Sequence, residues 1–329
     1  TFAKAGIVRI LCEYAKSANP KLRLNAVWAL KHLVLEMDNE TKRHCVEELG
    51  IGWLVQIICD DMEYMALISS KEKEQKSNLS SNEIDQDTEM EQFEDQINIA
   101  FGTSDCQADS KIPARNPSFT IQIAEARISV LRAAELDPFK KARKDDTAVQ
   151  EQGLDFIRNI ICGADKGSGT TEMVDYLFSI IGQDRVFEIL VSKLRPKVIN
   201  PYHRKTSGPG ESKFIPPQAE IIASVGFILV HMAASVPRHR QLIISQTELL
   251  KLIVPQFNNS NDQVRIAFCW LVTNLTWMDD QNDEQSCAQR ASELKKLGFL
   301  AKLEMLKNDP ELDVRERAKN ALWQMERSY

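Results

Sequence analysis

The sequence predicts an all-α helical solenoid, and three observations predict it. The first is the stretch 262–277, DQVRIAFCWLVTNLTW. With Val264 as position zero, apolar Val264, Phe268, Val272 and Leu275 fall at 0, +4, +8 and +11. At about 100° per residue these four share one stripe of a helix. Trp270, Asn274 and Trp277, at +6, +10 and +13, share a second stripe roughly opposite. Such a helix packs outward on its own layer and shows a binding face inward. The second observation is that the same ruler fits four other places. Core stripes recur at Leu22, Ala26, Leu30 and Leu33; at Val149, Gly153, Ile157 and Ile160; at Ile221, Val225, Leu229 and Met232; and at Val314, Ala318, Leu322 and Met325. Arg23, Arg265 and Arg315 all occupy +1. The third is a glycine marker: Gly6, Gly50 and Gly298 each precede an apolar run, and Gly6 and Gly298 lie 16 residues before Leu22 and Val314. Helix, glycine turn, helix, polar turn and long helix at a period near 43–50 is the signature of stacked helical repeats.

The elements follow in order. Phe2–Ala15 is a second helix, and 18–36 the first inner helix, with Pro20 in its first turn. Residues 40–49 and Ile51–Cys59 are the first two helices of the next repeat. Its inner helix is due to start its core near residue 66 and starts at Val149, an excess of 83 residues. An insertion is therefore placed at 60–145, between the second and third helices of one repeat. Within it, 83–95 carries seven acids and no Lys or Arg, a composition that offers no core, so 69–117 is expected to be disordered. Residues 121–136 read as a helix, followed by the basic run Lys140, Lys141, Arg143 and Lys144. The inner helix is expected over 148–162, and GADKGSGTT after it as a glycine-rich helix stop, not a phosphate loop. Helices are expected at 171–181 and 185–194. A second insertion, 195–217, has five prolines and two glycines and carries His203, Arg204 and Lys205, which reads as a mobile basic loop. Helices follow at 218–234, 239–245, 249–257, 262–277, 283–297, 299–306 and 314–327. Arg317 and Lys319 on the last suit a polar terminal cap.

Composition bounds the function. A hydrophobic content of 43% supports a continuous core, and a net charge of −6 argues against a nucleic-acid partner. The seven cysteines form no CxxC pair and read as reduced thiols of a cytoplasmic and nuclear protein. No apolar run reaches transmembrane length, so no membrane partner is expected. The chain enters directly into a second-helix pattern, which reads as a fragment lacking earlier repeats. There is no HExxH, CxxC pair or nucleophile elbow, and adjacent His44 and Cys45 point about 100° apart on a helix. No enzyme activity, metal or cofactor is expected.

The patterns LR-x2-A-x-WALKHL and VR-x2-F-x-WLVTNL resemble the third helix of armadillo repeats. The resemblance implies a right-handed armadillo superhelix of about five repeats with two loop insertions, its third helices lining a concave groove. The inner stripe then supplies Trp28 and His32, Asp155 and Asn159, Phe227 and His231, and Trp270, Asn274 and Trp277. A Trp at +6 offers a flat apolar face, and an Asn at +10 can hydrogen-bond the backbone of an extended peptide. Trp270 with Asn274 is the complete pair; Trp28 with His32 is half matched. From Val264 onward, WLVTNLTW, the acidic loop with Asp279, Asp280 and Glu284, the spacing Arg290 to Leu294, and KLGFLAKL resemble the armadillo scaffold subunit of GID/CTLH ubiquitin ligases. The earlier stretch NAVWALKHLVLEMDNETKRHCVEELGIGWLVQII, continued at VQEQGLDFIRNII, fits the same family, and the long insertions suggest a fungal member. That resemblance implies a non-catalytic subunit. Such a subunit docks on the LisH/CTLH core and holds the substrate receptor by an extended C-terminal tail in the groove, for degradation of targets such as gluconeogenic enzymes. The alternative is a nuclear-import-type armadillo receptor for basic peptides, which needs consecutive intact Trp/Asn pairs.

Overall fold

A computed structural model describes residues 2–17, 19–59, 138–162, 168–198 and 214–327. The chain divides into two compact units, Thr1–Asp60 with Thr147–Tyr329, and Asp61–Asp146. The acidic tract 83–95, the stretch 69–117 around it, the helix expected at 121–136 and the residues His203, Arg204 and Lys205 lie outside the described residues.

The first unit is a helical solenoid. In chain order its helices are α1 (Phe2–Ala15), α2 (Pro20–Leu35), α3 (Asn39–Leu49), α4 (Ile51–Cys59), α5 (Pro138–Ile161, which belongs to this unit from Thr147 on), α6 (Ser168–Ile181) and α7 (Gln183–Leu194). Then come α8 (Ala219–Ala233), α9 (Pro237–Ser245), α10 (Thr247–Ile253), α11 (Asp262–Leu275), α12 (Glu284–Lys296), α13 (Phe299–Leu306) and α14 (Leu312–Arg327). The long inner helices are α2, α5, α8, α11 and α14. Four of their five core stripes are buried throughout, from Val149 to Met325. The fifth departs at both ends: Leu22 is 38% exposed and Leu33 only half-buried. The buried side of α2 runs through Arg23, Ala26, Val27, Leu30 and Val34, so the helix is turned by about one residue from the expected stripe.

Polar groups fix the turns. Asn19 and Asn261 cap α2 and α11 by accepting from Lys21 and Leu22, and from Gln263 and Val264. The +1 arginines then clamp the preceding turn. Arg23 donates to the Ser17 carbonyl (2.8 Å), Arg265 to Asn259 (2.7 Å), and Arg315 to Asp309 (2.7 Å), in each case six residues back. Arg265 also reaches the carboxylate of Asp309 in the next turn, at 2.8–2.9 Å, so successive clamps are linked. Gly50, Gly182 and Gly298 take φ of 84°, 93° and 94° between first and second helices, where a side chain would be strained. Gly182 does the work expected of Gly6, which instead lies within the unbroken helix α1.

Most helix ends differ from expectation by one to three residues, and three segments differ by more. Helix α5 begins at Pro138, so Lys140 to Lys144 belong to its first turns, not to a separate basic loop segment. The stretch 249–257 splits into α10 and a 3₁₀ turn, Val254–Asn258, because Pro255 cannot donate to a helical ladder. The loop 195–217 has regular ends: β1 (Lys197–Val198) pairs antiparallel with β2 (Phe214–Ile215). Among the described residues no helix is long and apolar enough to cross a membrane.

Candidate partner-binding face

The inner helices are tied side by side by amide side chains at +10. Asn159 of α5 donates to the Lys31 carbonyl of α2 at 2.7 Å. Asn274 of α11 donates to the Val230 carbonyl of α8 at 3.0 Å. Gln324 of α14 donates to the Thr276 carbonyl at the end of α11 at 3.0 Å. The remaining joint, α5 to α8, has His231 at +10 and is bridged instead by Ser224, which donates to Asp155 at 3.2 Å. The +10 residue is therefore first a rung between repeats. The carbonyl of an amide whose NH2 group is anchored in this way keeps its acceptor capacity.

Asp155 and Asn159 are buried and satisfied within the chain. Asp155 accepts from Lys31 at 3.0 Å and pairs with Arg158 at 3.2 Å. Asn159 accepts from Arg158 Nε at 3.3 Å. Beside them, Lys42 of α3 is wholly buried and donates to the Asn159 carbonyl at 3.0 Å, and also to that of Cys162, which caps the end of α5. Burial lowers its pKa. His231 faces this cluster. Burial first, then the charges of Arg158 and Lys42, push its pKa down to about 4. It is a neutral imidazole on the face at physiological pH.

The aromatic members stay accessible. Trp28 is 54% exposed and meets His32 edge-on at 4.6 Å between ring centroids. Trp270 is 40% exposed and meets Phe227 edge-on at 6.5 Å. Trp277 is 50% exposed. Its carbonyl is held by buried Arg290, which also donates to the Leu275 carbonyl at 2.7 Å and grips Asp283 with two bonds of 2.7 and 2.9 Å. Arg240 pairs with Asp279 at 2.5 Å and reaches the same Asp283 at 4.0 Å. The acidic loop noted in the sequence is thus a buttress that positions Trp277.

Two features escaped the sequence reading. Arg317, read as terminal polarity, lies over the Trp270 ring at 3.9 Å from its centroid. Ser235, His239 and Asp175 form a hydrogen-bonded chain, with 2.6 Å from Ser235 Oγ to Nδ1 and 2.9 Å from Nε2 to Asp175. They are residues of a hydrolytic relay type. Here they tie the turn before α9 to α6, and Ser235 Oγ also donates to the Met232 carbonyl at 2.5 Å. Among the described residues no group of three or more His, Cys, Asp or Glu is placed to hold a metal. The six described cysteines are in the thiol form.

Repeats of two or three helices, glycine turns, and an inner stripe of Trp and Asn define an armadillo-type helical solenoid. Over 245 residues the chain is 28% identical to a Schizosaccharomyces pombe protein named GID complex subunit 5, covering 57% of this chain and 28% of that one. Over 57 residues it is 33% identical to the Xenopus laevis Armadillo repeat-containing protein 8, covering 17% of this chain and 8% of that one. It thus spans less than a third of the curated relatives it matches. A designed armadillo repeat protein of known structure aligns over 97% of this chain and 99% of its own, at 15% identity and a TM-score of 0.42, an overlap too loose to carry an argument. No family model matches the chain. The helical repeats and the likeness to these relatives agree on an armadillo-type solenoid.

Proposed function

We propose that this chain is a non-catalytic scaffold of a GID/CTLH-type ubiquitin ligase. Its inner stripe receives the extended C-terminal tail of the substrate-receptor subunit, and its other surfaces dock on the LisH/CTLH core. Targets of the gluconeogenic class and a cytoplasmic and nuclear setting belong to the same reading. The observation that carries it is the accessibility of Trp28 and Trp270 on inner helices, and of Trp277 two residues past the end of α11, where the sequence reading had continued the helix. Half-exposed indoles on one face are unfavourable in water and suit a covered interface. Asn274 suits an extended partner as well. With its NH2 group on the Val230 carbonyl, its own carbonyl is free to accept a peptide N–H.

The test is Trp28→Ala with Trp270→Ala. Interface tryptophans cost about 2 kcal/mol when truncated, roughly thirtyfold in affinity. Capture of the substrate receptor by tagged full-length protein is expected to fall by about that factor. Melting should drop only by the lost Phe227 and Arg317 contacts, about 1 kcal/mol. Undiminished capture sends the search to another surface.

A further inference from the structure

The guanidinium carbon of Arg317 lies over the Trp270 ring, 3.9 Å from its centroid. Its Nε is buried and has no hydrogen-bond partner among the described residues. The neighbouring charges are already matched: Arg265 with Asp309 at 2.8 Å, and Lys319 with Glu316 at 2.8 Å. No carboxylate of the described residues pairs with Arg317. The arrangement recurs nearby. Arg327 lies 4.4 Å over Trp323 on the same helix, and Arg158 of α5 lies 5.8 Å over Phe227 of α8. Arg158 is already neutralised by Asp155, so Arg317 is the open member beside the candidate face.

We propose that Arg317, stacked on Trp270, is a clasp for the carboxylate side chain of an acidic, extended segment of a partner protein. This names the chemistry of the occupant and rests on the reading of the inner stripe as a binding face. A stacked guanidinium has its face occupied and its in-plane N–H edges free. A carboxylate approaches along those edges and accepts two parallel bonds without breaking the stack. Stacking also fixes the arginine before the partner arrives, which reduces the ordering lost on binding. An apolar residue next to the acid would lie on the exposed part of Trp270, between Phe227 and Arg317. A second guanidinium stacked on a Trp of the same helix, Arg327 on Trp323, favours acidic side chains at more than one position over a single terminal carboxylate. A basic peptide would meet like charge here, which separates this face from the grooves of basic-peptide receptors.

The probe is an N-acetylated, C-amidated peptide of three Ser-Leu-Glu units bearing fluorescein, titrated with the full chain at low ionic strength. Its counterpart has Gln for Glu, and a third peptide has Gln with a free C-terminus. The Glu peptide is expected to bind about tenfold more tightly than its Gln counterpart. Arg317→Gln should remove that gap without changing the Gln peptide's affinity, and Arg317→Lys should restore less than half of it. The proposal is overturned if Glu and Gln peptides bind alike, if the gap survives Arg317→Gln, or if the free-terminus Gln peptide matches the Glu peptide. Failure of the wider reading is seen separately, in receptor capture by the double tryptophan variant. Lost capture with equal peptide binding removes the clasp and keeps the face. Unchanged capture with no peptide bound removes both.

Discussion

His231 links the chemistry of single residues to the stability of the whole unit. Its folded pKa of about 4 lies below the ordinary value of 6.5, because the imidazole is buried and faces Arg158 and Lys42. The sign follows directly. Above pH 6.5 the residue is neutral in both states and contributes no pH dependence. Between 6.5 and about 4 the unfolded chain binds a proton that the folded chain refuses, so stability falls on acidification. His239, also lowered chiefly by burial, acts in the same direction. Urea midpoints measured from pH 7 to 5 should decline, and His231→Gln should flatten that decline by about 2 kcal/mol over the window. An unchanged slope would place His231 in water. The sequence located His231 on the inner stripe but gave no sign of its surroundings. Lys42 and Arg158 come to it from other helices, across 189 and 73 residues of chain. Asp155 and Asn159 show the same limit. Their stripe position was legible, whereas their partners Lys31 and Ser224 lie in neighbouring repeats, so burial was not. Trp28, Trp270 and Trp277 needed no partner to be read, and they remain open.

At the level of elements, periodicity is the most informative signal. Of the fourteen helices among the described residues, α1, α4 and α13 have the expected bounds; for α4 and α13 an apolar run follows directly on a glycine turn. Where local signals compete, the reading slips. Gly6 sits before an apolar run like Gly50, yet only a backbone with positive φ marks a turn, and Gly182 has it without so clear an apolar run after it. Close packing of elements gives a sharper test. A Cβ on Gly153 of α5 would stand 2.7 Å from Ile57 Cγ2 and 2.9 Å from Ile58 Cγ2 of α4. Alanine improves helix propensity by about 1 kcal/mol, and overpacking at such distances costs about 1–3 kcal/mol. Both neighbours are stiff β-branched side chains in a closed core, so the clash should win. Gly153→Ala is expected to lower the denaturation midpoint, by a net 1 kcal/mol or so. An alanine that stabilises would mean that α4 and α5 do not pack this closely.

For the molecule as a whole, the repeats explain why a chain without catalytic motifs keeps a row of open aromatic side chains. The +1 arginine clamps and +10 amide rungs hold the inner helices in register, and the stripe opposite the core is what that register presents. The solenoid was legible because each repeat restates the same pattern. The clasp-like Arg317 was not, because its partner Trp270 belongs to the preceding repeat. The central claim is that this face serves a GID/CTLH-type scaffold. Affinity purification of the tagged full-length protein from its own cells, read by mass spectrometry, tests it most directly. The account predicts recovery of LisH/CTLH-type core subunits together with a substrate receptor, the receptor alone depleted when Trp28 and Trp270 are replaced by alanine. Recovery of nuclear-import partners and basic cargo, with no ligase subunit, would contradict it.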